Sequence, residues 1–141
     1  MAVITPNFSF AGRCEEAVRL YERAFDARVG CFMRYSEATW DEGYAQWTDE
    51  QKRMVYHAEI FIGNQRIMLA DHLDLGFAPG LSLSLVVTMN TKEEVLRAFD
   101  VLAEGGKVIC PPHSTPYSAC TTNVIDRFGF RWCVMTEQTE R

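Results

Sequence analysis

His57 and Glu59 stand two residues apart in a stretch, Met54 to Ile62, that alternates as a β-strand does. An extended chain turns both side chains to one face. An imidazole titrating near neutrality beside a carboxylate can shuttle a proton between substrate and solvent. Asp71, on the strand that returns after the next turn, is expected to converge with them, so the candidate catalytic residues are His57, Glu59 and Asp71. The same pair also suits a structural role, because a His–Glu link on a half-exposed sheet needs no substrate. A second group of residues can hold rather than react. Phe8 and Phe10 lie on the first strand, and Trp40 and Trp47 lie in a polar connection, with Tyr44 between them. Their rings offer flat apolar walls to a small molecule. Core packing of the phenylalanines, and anchoring of the connection or a dimer contact by the tryptophans, account for them equally simply.

Two rounds of the same pattern position these residues. Val3 to Phe10 reads as a strand, and Cys14 to Phe25 as a helix whose Ala17, Leu20, Tyr21, Ala24 and Phe25 share one face. Glu15 and Glu16 suit the positive end of its dipole. Arg28 to Tyr35 follows as a strand with Val29, Cys31 and Met33 on one side. After the connection 36–53 come Met54 to Ile62, the turn Gly63-Asn64-Gln65, and Arg66 to Asp71. His72 to Gly80 is the linker. The order then repeats: a strand from Leu81 to Met89, a helix capped by Asn90 or Thr91 and ended by Gly105-Gly106, and a short strand Lys107 to Cys110 before two prolines. The strands Ala119 to Ile125 and Arg131 to Met135 complete it. The pattern gives one α+β domain over residues 1–141, made of βαβββ modules at about 3–71 and 81–136 that complete one another's cores.

Composition narrows the function. The chain has 141 residues, 48% of them hydrophobic, which is enough for one substantial core. A net charge of −5 with no basic cluster argues against a nucleic-acid partner. No apolar run reaches the roughly 20 residues of a membrane-spanning helix, and the first residues lack a secretory pattern, so a cytoplasmic location is expected. The five cysteines are widely spaced and form no CxxC pair; reduced thiols follow. Cys120 and Cys133 are candidates to face a cavity, but neither has an adjacent base to make it a nucleophile.

The phrases Phe10-Ala11-Gly12-Arg13-Cys14-Glu15-Glu16-Ala17, Tyr21-Glu22-Arg23-Ala24-Phe25, His57-Ala58-Glu59 and Ile67-Met68-Leu69-Ala70-Asp71 resemble the PhnB-like branch of the vicinal oxygen chelate superfamily. That superfamily includes glyoxalase I, bleomycin-resistance proteins and dihydroxybiphenyl-type extradiol dioxygenases. Leu102-Ala103-Glu104-Gly105-Gly106-Lys107-Val108 and Asp126-Arg127-Phe128-Gly129-Phe130-Arg131-Trp132 extend the likeness to the second half. The resemblance implies paired βαβββ modules forming curved sheets around a central cleft, in a homodimer. It also implies metal ligands on the first, fourth, fifth and eighth strands, where this chain offers Pro6, Asn7, Phe8 and Ser9, then Asp71, then Leu81 and Ser82, and then Cys133. One carboxylate and one thiol make a poor metal site, so no cofactor is expected. Relatives carry a demethylubiquinone methyltransferase label, yet no glycine-rich turn opens a helix after a strand as a nucleotide-type cofactor would require.

The expected function is therefore binding of a small apolar or aromatic molecule without the usual metal centre, with Phe8, Phe10, Trp40, Trp47 and Cys133 as ligand contacts. The alternative is a lyase, isomerase or dioxygenase, metal-assisted or acid–base, working through His57, Glu59 and Asp71; only there would a divalent metal enter.

Overall fold

A computed structural model describes residues 2–73, 80, 82–116 and 118–137. The backbone forms two four-stranded mixed sheets and three helices, an α+β fold. Contacts divide the chain into two compact units, Met1–Phe77 and Ala78–Arg141.

The first unit runs β1 (Asn7–Phe10), α1 (Cys14–Phe25), β2 (Arg28–Arg34), α2 (Asp49–Arg53), β3 (Val55–Ile62) and β4 (Gln65–Asp71), with sheet order β1-β4-β3-β2. The second runs β5 (Leu85–Met89), α3 (Lys92–Ala103), β6 (Lys107–Thr115), β7 (Ser118–Ile125) and β8 (Arg131–Thr136), in the order β5-β8-β7-β6. The two orders are the same when each strand is counted within its own unit. In both, the first strand runs parallel to the fourth and every other pairing is antiparallel. The duplicated βαβββ pattern read from the sequence is thus a duplicated topology.

The two long helices, α1 and α3, each cover one face of their own sheet. Alternation on β1, β3 and β4 sends Phe8, Ala58, Ile60, Ile67 and Leu69 toward α1, where Val18, Tyr21 and Phe25 are buried. Phe8 meets Tyr21 edge to face, with ring centroids 6.1 Å apart. In the second unit Val95, Ala98 and Leu102 of α3 are buried with Val124, Trp132 and Val134. Fully burying such side chains contributes about 1.5–3 kcal/mol each. Among the described residues, no helix is long and apolar enough to cross a membrane.

Several element limits differ from the sequence reading, each for a local reason. Pro6 precedes β1 instead of lying in it; its carbonyl still accepts from Met68 N–H at 2.9 Å. The strand expected from Leu81 begins at Leu85, and Leu81 itself lies outside the described residues. β6 does not stop at Cys110 but continues through Pro111 and Pro112 to Thr115. It is an edge strand with irregular register, where missing N–H groups are tolerated. Connection 36–53 contains α2, which Thr48 opens with a reciprocal cap to Gln51. Gly106 approaches the Ile125 carbonyl so closely that any Cβ would collide with it.

Thr91, not Asn90, caps α3: its hydroxyl accepts from Glu94 N–H at 3.2 Å. Thr91→Ala leaves that donor without its cap, and urea denaturation is expected to show a loss of about 1 kcal/mol. An unchanged midpoint would mean that water replaces the cap at no cost.

Candidate functional site

The face of the first sheet turned away from α1 carries the sequence-predicted pair. His57 Nε2 and Glu59 Oε2 are 2.8 Å apart, and both side chains are partly exposed. Arg66, on β4, reaches Glu59 Oε1 at 3.5 Å. The hydrogen bond from His57, with the Arg66 charge, holds the Glu59 carboxyl below the usual glutamate range against the opposing effect of desolvation. An ionised carboxylate only accepts, so Nε2 carries the proton of this bond. In the neutral tautomer that donates this bond, Nδ1 keeps the lone pair. Nδ1 can take a hydrogen bond from a hydroxyl or amide of a bound molecule.

Strand register supplies the rest of this face. Met33 lies opposite His57, Cys31 opposite Glu59, and Met68 flanks Glu59 on β4. Phe61 covers Gly30 and stacks beneath the Arg28 guanidinium, whose carbon is 4.5 Å from the ring centroid. The shift in pairing between Val29 and Cys31 puts Val29 opposite Ile60, on the helix side, contrary to the expected Val29-Cys31-Met33 row. The result is a shallow apolar surface of sulfur and aromatic groups with one oriented imidazole and one ion pair.

Asp71 does not converge with this pair. It is 1% exposed and lies on the helix side of β4. Its Oδ1 accepts from the N–H groups of Gly12 and Cys14 at 2.7 and 3.1 Å, at the start of α1, and its Oδ2 from Val55 N–H at 3.0 Å. Its carbonyl accepts the Tyr35 hydroxyl at 2.6 Å. The carboxylate fastens the opening of α1 to β3 and β4, completing N–H groups that a helix start cannot satisfy itself. Burial, with the Asp71 and Glu15 charges, pushes the neighbouring Cys14 thiol far above its ordinary value, so it stays protonated.

The expected ligand contacts divide three ways. Phe8 and Phe10 are buried on the helix side and belong to the core. Cys133 lies in the second unit on the face of β8 away from α3, with Thr121 Oγ1 at 4.0 Å. Trp40 and Trp47 gather around Tyr56, which alternation turns away from His57. Tyr35, Tyr44 and Asp41 join this group, and the sequence reading assigned Tyr35, Tyr56 and Asp41 no part in it. The signal available in the sequence for Tyr56 is its parity, opposite to that of His57.

Strands one, four, five and eight present to their helix-free faces Asn7 and Ser9, Met68 and Ala70, Val86 and Thr88, and Cys133 and Met135. Among the described residues no three His, Cys, Asp or Glu side chains come together as a metal would require. The one carboxylate expected of strand four, Asp71, is already engaged by backbone.

Residues 2–135 match the family model described as 3-demethylubiquinone-9 3-methyltransferase. Protein PA1353 from Pseudomonas aeruginosa has a similar structure, with TM-score 0.81 and 26% identity over 99% of this chain and all of that one. The PhnB protein from Bacillus cereus is 28% identical, with TM-score 0.75 over 96% of this chain and 99% of that one. A glyoxylase/bleomycin resistance protein/dioxygenase domain from Frankia shares the fold at TM-score 0.66 and 15% identity, covering 98% of each chain. The doubled βαβββ topology and the match along nearly the whole sequence agree: the chain belongs to the 3-demethylubiquinone-9 3-methyltransferase family, is similar to the PhnB protein from Bacillus cereus, and has the fold of the glyoxylase/bleomycin resistance protein/dioxygenase domain.

Proposed function

We propose that this protein is a cytoplasmic, homodimeric binder of a small apolar or aromatic molecule, held on the helix-free face of the first sheet without a glyoxalase-type metal. The observation that carries the reading is the His57–Glu59 bond at 2.8 Å on a face that also carries Cys31, Met33, Phe61 and Met68. Burial of apolar ligand surface would supply the affinity, and His57 Nδ1 the orientation. The donors on strands one, four, five and eight fit no divalent ion of the usual kind, so no step is routed through one. Methyl transfer has no local support either. The turn from β1 into α1 holds a single glycine, and the Asp71 carboxylate occupies the N–H groups that an anionic cofactor would use.

Titration with 2-naphthol, a flat ring system with one hydroxyl, tests the reading by its own fluorescence. Met68→Glu places a carboxylate on the proposed face and is expected to weaken binding tenfold or more. His57→Phe keeps the apolar area but removes the acceptor, for an expected loss of about threefold to tenfold. Binding unchanged in Met68→Glu, with the fold intact by circular dichroism, contradicts the proposal.

The His57–Glu59 pair also favours a second reading, acid–base or metal-assisted catalysis. Its metal-assisted form requires a stoichiometric divalent ion in protein purified without chelator, lost on His57→Ala. Substoichiometric metal removes that form.

A further inference from the structure

We infer that the first unit carries a separate site for a small organic cation, built where the connection 36–53 folds over the start of β3. An open depression of about 590 Å³ is lined there by Tyr35, Asp41, Gly43, Trp47, Tyr56 and His72, with the buried Asp71 at its base. Ring planes meet nearly at right angles: Tyr35 with Trp47 at 82° and 4.7 Å, Tyr35 with Tyr56 at 76° and 5.0 Å, and Trp40 with Tyr56 at 80° and 6.0 Å. Three of these rings, Tyr35, Trp47 and Tyr56, line the depression. Such walls attract a cation through the negative potential of the faces.

Charge points the same way. The acidic side chains of the lining are Asp41 and Asp71, and no lysine or arginine is among the lining residues. Asp41 is held in place: its Oδ1 accepts from Gly43 N–H at 2.8 Å and its Oδ2 from the Tyr56 hydroxyl at 2.9 Å. The carboxylate keeps the Tyr56 phenol protonated by raising its pKa, so that ring adds no competing charge. A carboxylate fixed by two donors beside Trp47 and Tyr56 is a preorganised counter-ion. One ring of the cluster already serves a cation, for Lys52 Nζ lies 4.5 Å from the Tyr44 centroid, and Tyr44 meets Trp47 edge-on. A cationic headgroup with methyl or methylene groups, such as a quaternary ammonium, suits both the ring faces and the carboxylate. A compact metal ion would find both carboxylates already engaged by N–H and O–H donors. This site is on the side of β3 opposite His57 and stands independently of the binding proposed there.

Choline and its uncharged carbon isostere, 3,3-dimethylbutan-1-ol, separate charge recognition from simple hydrophobic filling. Binding is read by tryptophan fluorescence. The chain has three tryptophans, two of them here, and the third, Trp132, is buried in the other unit. Choline is expected to bind at least fivefold more tightly than the alcohol. Asp41→Asn is expected to remove that preference, and Trp47→Leu to abolish saturable binding. Tyr56→Phe keeps the ring but removes one of the two donors that fix Asp41, and is expected to weaken choline binding severalfold while saturable binding and the preference over the alcohol remain, which guards against loss of the loop fold. Met68→Glu, on the other face, is expected to leave choline binding within twofold. Equal affinity for choline and the alcohol, or a preference that survives Asp41→Asn, overturns the inference.

Discussion

Asp71→Ala is expected to lower the unfolding free energy by about 3–5 kcal/mol, because it strips a buried acceptor from three backbone N–H groups at once. Gly12 and Cys14 would open α1 without a partner, and Val55 would start β3 without one. Against a typical total of about 5–15 kcal/mol the loss is severe. Urea denaturation measures it. His57→Ala and Glu59→Ala supply the contrast, since a partly exposed pair contributes little to stability. If Asp71→Ala unfolded within 1 kcal/mol of the parent, its role as the fastening of α1 would be wrong.

The second large effect lies in the other unit. Asp126, 2% exposed, accepts from Phe128 N–H and Phe130 N–H on Oδ1 at 2.9 and 3.1 Å, and from Trp132 Nε1–H on Oδ2 at 2.9 Å. Both carboxylate oxygens face donors. Asparagine must therefore aim its NH2 at an N–H in either amide orientation, whether at the turn or at the indole. Asp126→Asn is expected to cost about 2–4 kcal/mol, although it changes the side chain by one atom. Trp132→Phe removes the indole donor. In the double variant the amide can turn its oxygen to the backbone pair without conflict, so the two losses should fall short of additivity by about 1 kcal/mol or more. Additive losses would mean that the indole bond carries little of the energy.

The elements of this fold were largely legible because each unit repeats the same local grammar. Helical spacing marked α1 and α3, and alternation marked β3. The candidate binding face was read less well, and the reason is a single residue of register. Taking Gly63-Asn64-Gln65 as the turn pairs Ile62 with Arg66 and brings Asp71 beside His57. In the structure Ile62 pairs with Gln65, the loop is the two residues Gly63 and Asn64, and every β4 side chain changes face. Asp71 thereby passes from the pair to the helix, while Met68 joins Glu59, and Arg66 reaches its carboxylate. The irregular pairing at Gly30 acts in the same way on Val29. The aromatic pocket was half visible, since Trp40, Tyr44 and Trp47 are dense for a polar connection. Its other walls, Tyr35 and Tyr56, come from neighbouring strand ends, which only the folded chain brings together.

Selective labelling of the methionine methyl groups tests the binding face most directly. Met33 and Met68 flank the His57–Glu59 pair, whereas Met54 lies at the start of β3 and Met89 in the second unit. On titration with 2-naphthol the account predicts saturable shifts of the Met33 and Met68 methyl signals, with the His57 ring resonances moving at the same concentrations. Saturable binding that moves Met54 or Met89 while Met33, Met68 and His57 stay still would contradict it.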